Sequence, residues 1–587
     1  MIIGSWLPAQ SIVSLHVRDP DSTNIIHDTE TVPVAIRSRA HELTVLNPLG
    51  FFPREESATA GYWSTSMGTQ YGQPVSIHNL EVRTRLRSQI PLRYFPEHSL
   101  AGFSLSPVDS TGYPLKTLML ERQQEPMVNL VYKEGDYGLG AVSVGVATDI
   151  TEKTHLHLSR ESESYIGRYA IDGIEIERYS LEIHHRISDS TRFLYNTLFS
   201  KDRNNWTYAT PTPARFGGES SSWYKHSLRW NTSTHHGLWD YGIRLGSMRL
   251  WLNRSPAQQQ LTEIQRGGWL GYRHEFSSTV QVSGTYNFLQ FGLDNEGTSK
   301  VQENWHKFIM NSQWDLNALR IELNAQLLGV DRNNWDLYVL PEFNGEYRIT
   351  DWLSVNGKVA STVSYAPYQW EVTPERVDSL SGIHRPTRDQ MFSGGIQFDP
   401  FAALSIKAGF QRHSYSNWHR LTYNMPGART DSTLTHTTLT GQITGLTASA
   451  DLALLDWITA GLRYDVYPEI RHILPELWSR QAAVSWLHAQ RYFFKNNLLL
   501  HIYCEGGTYL SREPMGWNPM FQTVTYYPLF EPPPQTSYLH LIFVGDIGPF
   551  SISTSFYNAL GENLIYAIDQ RPQVQIFYLG VGWQLWN

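Results

Sequence analysis

Cysteine is almost missing from this chain. Cys504 is the only one among 587 residues, which excludes an internal disulfide and any cysteine-based metal cluster. Long apolar runs are missing too. A helix that crosses a membrane needs about 20 predominantly apolar residues, and the longest candidates here, such as NNLLLHIYC at 496–504, are only strand-sized. Charge is sparse: 17% of residues are charged, against about 25% in ordinary globular chains. The net charge of −8 is spread along the chain with both signs mixed, so no basic patch offers itself to nucleic acid. No Walker A segment, no GxGxxG after a strand and no HExxH is present.

What is present is aromatic and alternating. Aromatic residues make up 13% of the chain, with 20 Trp and 32 Tyr, while mean hydropathy is −0.36. Low charge and many aromatics fit a transmembrane β-barrel, and they also fit a secreted aromatic-rich all-β protein. The pattern along the chain separates the two. In the closing FYLGVGWQLWN, the odd positions Phe577, Leu579, Val581, Trp583 and Leu585 are bulky, and the even positions include Gly580, Gly582 and Gln584. Such alternation marks a strand with two different faces.

The same design recurs from about residue 127 onward. In 238–246, Trp239, Tyr241, Ile243 and Leu245 alternate with Asp240, Gly242 and Arg244. In 319–327, Leu319, Ile321, Leu323 and Leu327 alternate with Arg320, Glu322, Asn324 and Gln326. In 458–466, Ile458, Leu462, Tyr464 and Val466 alternate with Thr459, Gly461, Arg463 and Asp465. Charges and glycines pack poorly as an interior but suit a wet lumen, which favours a barrel with its bulky face toward lipid.

Short turns are expected near Asp149, Asp189, Thr234, Ser277, Asp315, Asp351, Asp399, Asp456, Lys495 and Asp546. Their spacing of roughly 35 to 55 residues equals two lipid-spanning strands of about 9–11 residues plus one longer loop. With a strand before the first loop and one after the last, about 22 antiparallel strands result, an even number as bacterial barrels require. The hairpin at 391–411 is read with its turn at Asp399-Pro400, because proline presets φ and donates no ladder bond. Longer connections are expected near 201–222, 247–267, 363–390, 411–433 and 505–536. The pentapeptide DRNNW occurs at 202–206 and 331–335; it reads as a bend at the barrel rim, with Trp206 and Trp335 at headgroup level.

Residues 1–126 differ, with many Pro, Ser, Arg and His and a broken alternation. They read as a plug-like or periplasmic N-terminal region beside a barrel at 127–587, with a globular domain or extra strands as the alternatives. A plug is favoured because barrels of about 22 strands otherwise leave a very wide hole and known ones carry one. The start, MIIGSWLPAQS, reads either as the tail of a secretory signal that lacks its basic beginning or as an ordinary strand.

Several segments resemble the TonB-dependent receptor family. The stretch 555–587 looks like the end of such barrels, with Asn558 and Leu560 at an Asn-Leu-aromatic turn and Tyr578-Leu579-Gly580-Val581 on the closing strand. Residues 131–158 resemble the first hairpins after the plug, and YRITDWLSVNG at 347–357 matches a turn of the same kind. VLNPLG at 45–50 and GQPVSI at 72–77 resemble plug segments, and ETVPVA at 30–35 resembles the energy-coupling box. His78-Asn79 stands where the family has Arg-Gly, so the plug is degenerate.

The resemblance implies an outer-membrane transporter or receptor for a small solute or nutrient. The partners it implies are outer-membrane lipid, the barrel assembly machinery and a TonB-type energy-coupling protein. A passive porin, a barrel anchoring a surface complex, and a secreted all-β carbohydrate binder or enzyme are the alternatives. Lumen-facing Arg320, Glu322, Arg463, Asp465, Asp240 and Arg244 are candidates for the wall that solutes meet, and Trp517, Tyr526 and Tyr527 for stacking in an outer loop. No catalytic set, cofactor or metal site is expected. Adjacent strand residues point to opposite faces, so His184-His185 cannot offer both rings to one ion.

Overall fold

The computed structural model describes the chain from Met127 to Trp586 outside its loops, of which 166–173, 208–215, 365–376, 379–384, 425–432, 472–478, 519–522, 527–530 and 562–574 are the longest segments left out. Before residue 127 it describes only Thr69–Gln70 paired with Gln73–Pro74. The plug-like assignment of 1–126 therefore lies outside the described residues.

Every element of the ring is a strand, and the ring closes. Three short strands (Val377–Asp378, Met515–Asn518 and Thr523–Tyr526) lie within connections, leaving 22 staves among the described residues. In chain order they are β1 Met127–Gly135, β2 Leu139–Thr151, β3 Thr154–Tyr165, β4 Ile174–Arg186, β5 Thr191–Thr207, β6 Phe216–Thr234, β7 Gly237–Arg254 and β8 Gln258–Ser277. Next come β9 Val280–Asn295, β10 Ser299–Leu316, β11 Leu319–Asp331, β12 Trp335–Thr350, β13 Leu353–Ser364, β14 Thr387–Phe401 and β15 Leu404–Asn424. The ring continues through β16 Thr433–Leu455, β17 Ile458–Arg471, β18 Ser479–Phe493, β19 Leu498–Arg512, β20 Thr536–Ile547, β21 Phe550–Tyr557 and β22 Ile576–Trp586. Each stave pairs antiparallel with the next, and β22 pairs with β1 from Tyr578 opposite Gly135 to Trp586 opposite Met127. That last ladder removes both sheet edges.

All ten short connections fall where the alternation breaks, between β2 and β3, β4 and β5, and so on to β20 and β21. Three use residues in the left-handed region, Asn317, the pair Phe494-Lys495, and Gly548, as tight hairpin turns require. The 391–411 hairpin turns three residues later than expected, at Ala402-Ala403. β14 runs on to Phe401, and Pro400 lies in the register shift between Phe398 and Phe401, where a missing ladder donor costs nothing.

The staves are longer than the expected membrane span. β16 has 23 residues and β6 has 19, so 201–207, 216–222 and most of 247–267 are strand rather than loop. Polar residues do not end a ladder whose backbone bonds are already satisfied. The first DRNNW likewise makes no bend: it continues β5, paired to β6 as far as Thr207 opposite Phe216. The second ends β11 and starts β12, where exposed Trp335 covers Gly329 on the outer face.

The two faces of the wall differ as the alternation dictates. On β7, Trp239, Tyr241, Ile243 and Leu245 are exposed outward, whereas Asp240 and Arg244 are buried inward. Near the short-turn end the outer face carries an aromatic girdle that includes Phe276, Trp314, Trp352, Trp457 and Phe494. Arg491 lies over the Trp457 ring at 5.1 Å, and Phe550 stacks on Trp583 at 4.9 Å. This is the arrangement of a large transmembrane β-barrel.

Candidate inner-wall site

Inward residues on neighbouring staves line up in rows because antiparallel partners share a face. One row runs across five staves: Arg229 on β6 opposes Gly242 on β7, Gly242 opposes Trp269 on β8, Trp269 opposes Asn287 on β9, and Asn287 opposes Lys307 on β10. In the adjacent row Arg244 opposes Gly267. Arg229 donates from Nε and Nη2 to the two oxygens of Asp240, at 2.7 and 2.9 Å. Both partners are buried, so the bidentate geometry compensates their desolvation.

Glycine clears the space that the large side chains need. A Cβ on Gly242 would stand 2.5 Å from the Trp269 ring, and one on Gly267 would stand 3.0 Å from Nε of Arg244. Trp269 and Arg244 therefore lie flat against the wall. The same construction recurs where Trp486 covers Gly461 and Tyr538 covers Gly507. An aromatic ring laid over a strand glycine covers its open backbone.

The staves half a ring away are acidic and aromatic. Glu505 on β19 accepts hydrogen bonds from Tyr503 at 2.7 Å and Tyr538 at 2.9 Å. Arg463 donates to Asp465 along β17 at 3.0 Å. His488 and His501 stack with their rings 6.0 Å apart and nearly parallel, and Nε2 of His501 is 3.4 Å from Asp546.

Toward the long-loop end the inner face becomes apolar. Leu289, Trp305, Leu328, Val330, Tyr338 and Leu340 form a buried cluster across β9–β12. Nearby in the ring, Asn417 adopts φ 54° in a register shift between Tyr415 and Trp418. The extra residue changes the phase of β15, so Tyr415 and Trp418 pack together with Ile443 and Tyr467. Just beyond, Nδ1 of His419 meets Nε2 of His436 at 2.9 Å.

The sequence-selected residues are split between several places. Asp240 and Arg244 join the row on β6–β10. On β11, Glu322 accepts from Asn311 at 3.0 Å, and Arg320 lies 3.4 Å from Asp315 near the short-turn rim. Arg463 and Asp465 touch each other six staves from β11. These three groups do not converge on one site. Trp517 and Tyr526 lie on the paired strands Met515–Asn518 and Thr523–Tyr526, the second of which runs parallel to β15 with Tyr526 opposite Thr422. Tyr527 lies outside the described residues. His184 and His185 occupy opposite faces, His185 meeting Thr154 at 2.9 Å. Arg229, Trp269, Asn287 and Lys307 were not selected from the sequence, because their alignment exists only once four ladders are in register.

No family model matches the chain, and no curated protein matches it. Solved structures do. An iron transporter, FrpB from Neisseria meningitidis (F3-3 variant), matches with a TM-score of 0.61 and 8% identity over 80% of this chain and 82% of its own. The copper transporter OprC matches with a TM-score of 0.64 and 10% identity, over 78% and 80%. The alcaligin outer-membrane receptor FauA from Bordetella pertussis matches with a TM-score of 0.55 and 9% identity, over 79% and 76%. At these identities the likeness is one of fold, and the fold is that of the TonB-dependent receptor barrels.

Proposed function

We propose that the chain is an outer-membrane barrel that takes up or passes a small solute. The observation that carries this reading is the inversion of its two faces: a closed ring of 22 staves with an apolar, aromatic-girdled exterior and charged residues inside. A soluble all-β protein has no use for an exterior on which residues such as Leu337 and Val339 are more than 60% exposed. The structural likeness to iron and copper transporters and to a receptor of the outer membrane supports the same reading. Lipid meets the outer face, the barrel assembly machinery inserts the chain, and a TonB-type protein is the candidate energy source.

The proposal places residues 1–126 in the lumen. Among the described residues, the staves make their extended contacts with ring neighbours, so opposite walls do not cover one another. Yet inward Ser553 and Ser555 are 0% exposed, and Asn287 and Trp305 are 1% exposed. A wall facing a wide water-filled hole would be wet. A segment of the same chain inside the ring accounts for its dryness.

Recovery in outer-membrane fractions with heat-modifiable gel migration is the expected result; full solubility without detergent would defeat the reading. In liposomes the intact chain should conduct weakly, and deletion of residues 1–126 should raise conductance. Unchanged conductance would remove the plug while leaving the barrel.

A further inference from the structure

We propose that the outer face of β7 and β8 holds a fixed site for a lipid whose headgroup carries a phosphate, in the leaflet on the long-loop side. The site lies outside the lumen and rests on the reading of this face as lipid-facing. Arg249 on β7 and Arg266 on β8 are exposed and share the outward face with Leu245 and Ile264, themselves about half exposed. Neither arginine meets an ion-pair, hydrogen-bond or ring partner among the described residues. Other outward arginines are engaged within the chain: Arg160 lies over the Tyr179 ring, Arg203 pairs with Glu175, Arg412 donates to Gln442 and Arg491 lies over Trp457. Neighbouring acids do not supply the missing charge. By register, the outer face of β6–β9 carries one carboxylate, Asp294. It stands two staves from Arg249 and directly opposite Lys300 on β10, and its own partner is neither arginine. Asp331 on β11 is three staves from Arg266.

Two further features place a headgroup here. Outward polar pairs mark where hydrocarbon gives way to headgroups: Tyr195 with His226 at 3.1 Å, Tyr286 with His306 at 2.7 Å, Gln290 donating to Asn304 at 3.3 Å, and Trp251 donating to Gln260 at 3.0 Å. Arg266 lies in the same cross-strand row as His226, Leu245, Gln290 and Asn304, and Arg249 lies one outward row below Trp251 and Gln260. Toward the bilayer centre, Gly268 follows Arg266 on the same face, between Ile243 and Phe288. Having no side chain, it leaves a shallow notch beside Ile243, Leu270 and Phe288 in which an acyl chain can lie. From Arg266 to Arg249 is one strand spacing plus four residues along β7, about 14 Å between Cα atoms, so both long side chains can reach one headgroup between them. A guanidinium beside hydrocarbon is costly without a counter-charge. A lipid phosphate supplies it in the bidentate geometry that arginine favours.

The test uses the full-length protein in detergent, titrated with phosphatidic acid and followed by native mass spectrometry. Diacylglycerol with the same chains, which lacks the phosphate, and inorganic phosphate, which lacks the chains, are the comparison probes. Phosphatidic acid is expected to bind about tenfold or more tightly than either. Arg249→Gln and Arg266→Gln should each weaken its binding roughly tenfold, the loss of one charge-assisted contact. Arg412→Gln on β15 should leave it unchanged. Equal binding of diacylglycerol, full competition by equimolar inorganic phosphate, wild-type affinity in either Arg249→Gln or Arg266→Gln, or equal loss in Arg412→Gln would each overturn the site. Heat-modifiable migration of each variant verifies that the barrel has formed and keeps the two readings apart. A formed barrel that binds no phosphatidic acid defeats the site alone, whereas a chain that needs no detergent defeats the barrel with it.

Discussion

On β7 the two faces of one strand obey opposite rules. Outward, Ile243 and Leu245 are about half exposed; inward, Asp240 is 3% and Arg244 8% exposed. In a water-soluble sandwich the order would be reversed, with the branched side chains covered and the charges wet. The inversion teaches that burial in this molecule does not track hydrophobicity. The outer face is stable because lipid replaces water as its solvent. The inner face can hold buried charge where it is paired, as Arg229 is by Asp240. One face should therefore fail when charge is added, and the other when charge is removed.

Removal is expected to have the largest effect. Asp240→Ala leaves the Arg229 guanidinium buried without its partner and should cost about 3–5 kcal/mol, and adding Arg229→Met should restore most of it. The folded-to-unfolded gel shift followed against urea measures both. Next comes addition on the outer face. Ile243→Arg should destabilise by about 2–4 kcal/mol if Ile243 lies near the bilayer midplane, while Gln326→Arg on the inner face should change the same transition little. Equal effects would mean that the faces are wrongly assigned. Gly242→Ala should cost about 1–3 kcal/mol, because its methyl would stand 2.5 Å from the Trp269 ring; loss of the Trp269 contribution to tryptophan fluorescence should accompany it. The smallest effect belongs to the girdle. Arg491→Ala gives up a cation–π contact with Trp457 in a half-wet setting, about 0.5–1 kcal/mol in the same urea titration.

Much of the barrel was legible before any coordinates. A period of two shows the face of each residue, and polar pairs such as Asp351 with Trp352 interrupt it where the chain must turn. Hence the ten turns and the 22 staves could be placed, as could the inward direction of Arg320, Glu322, Arg463 and Asp465. Stave length was not legible: Asp202–Trp206 looks like a bend, but its backbone simply continues the β5 ladder. The phase change at Asn417 was hidden too, since one extra residue in a polar stretch carries no signature of its own.

The sequence by itself therefore determined the closed antiparallel ring, its lipid-facing side and its charged interior, because alternation along one strand is local information. Only the tertiary structure decided which charges meet. Arg229 finds Asp240 across β6 and β7; Asn287 falls between Trp269 and Lys307 across β8–β10; His436, isolated in the sequence, meets His419. Each of these depends on the register of whole ladders, and a shift of one residue would turn every one of them to the other face.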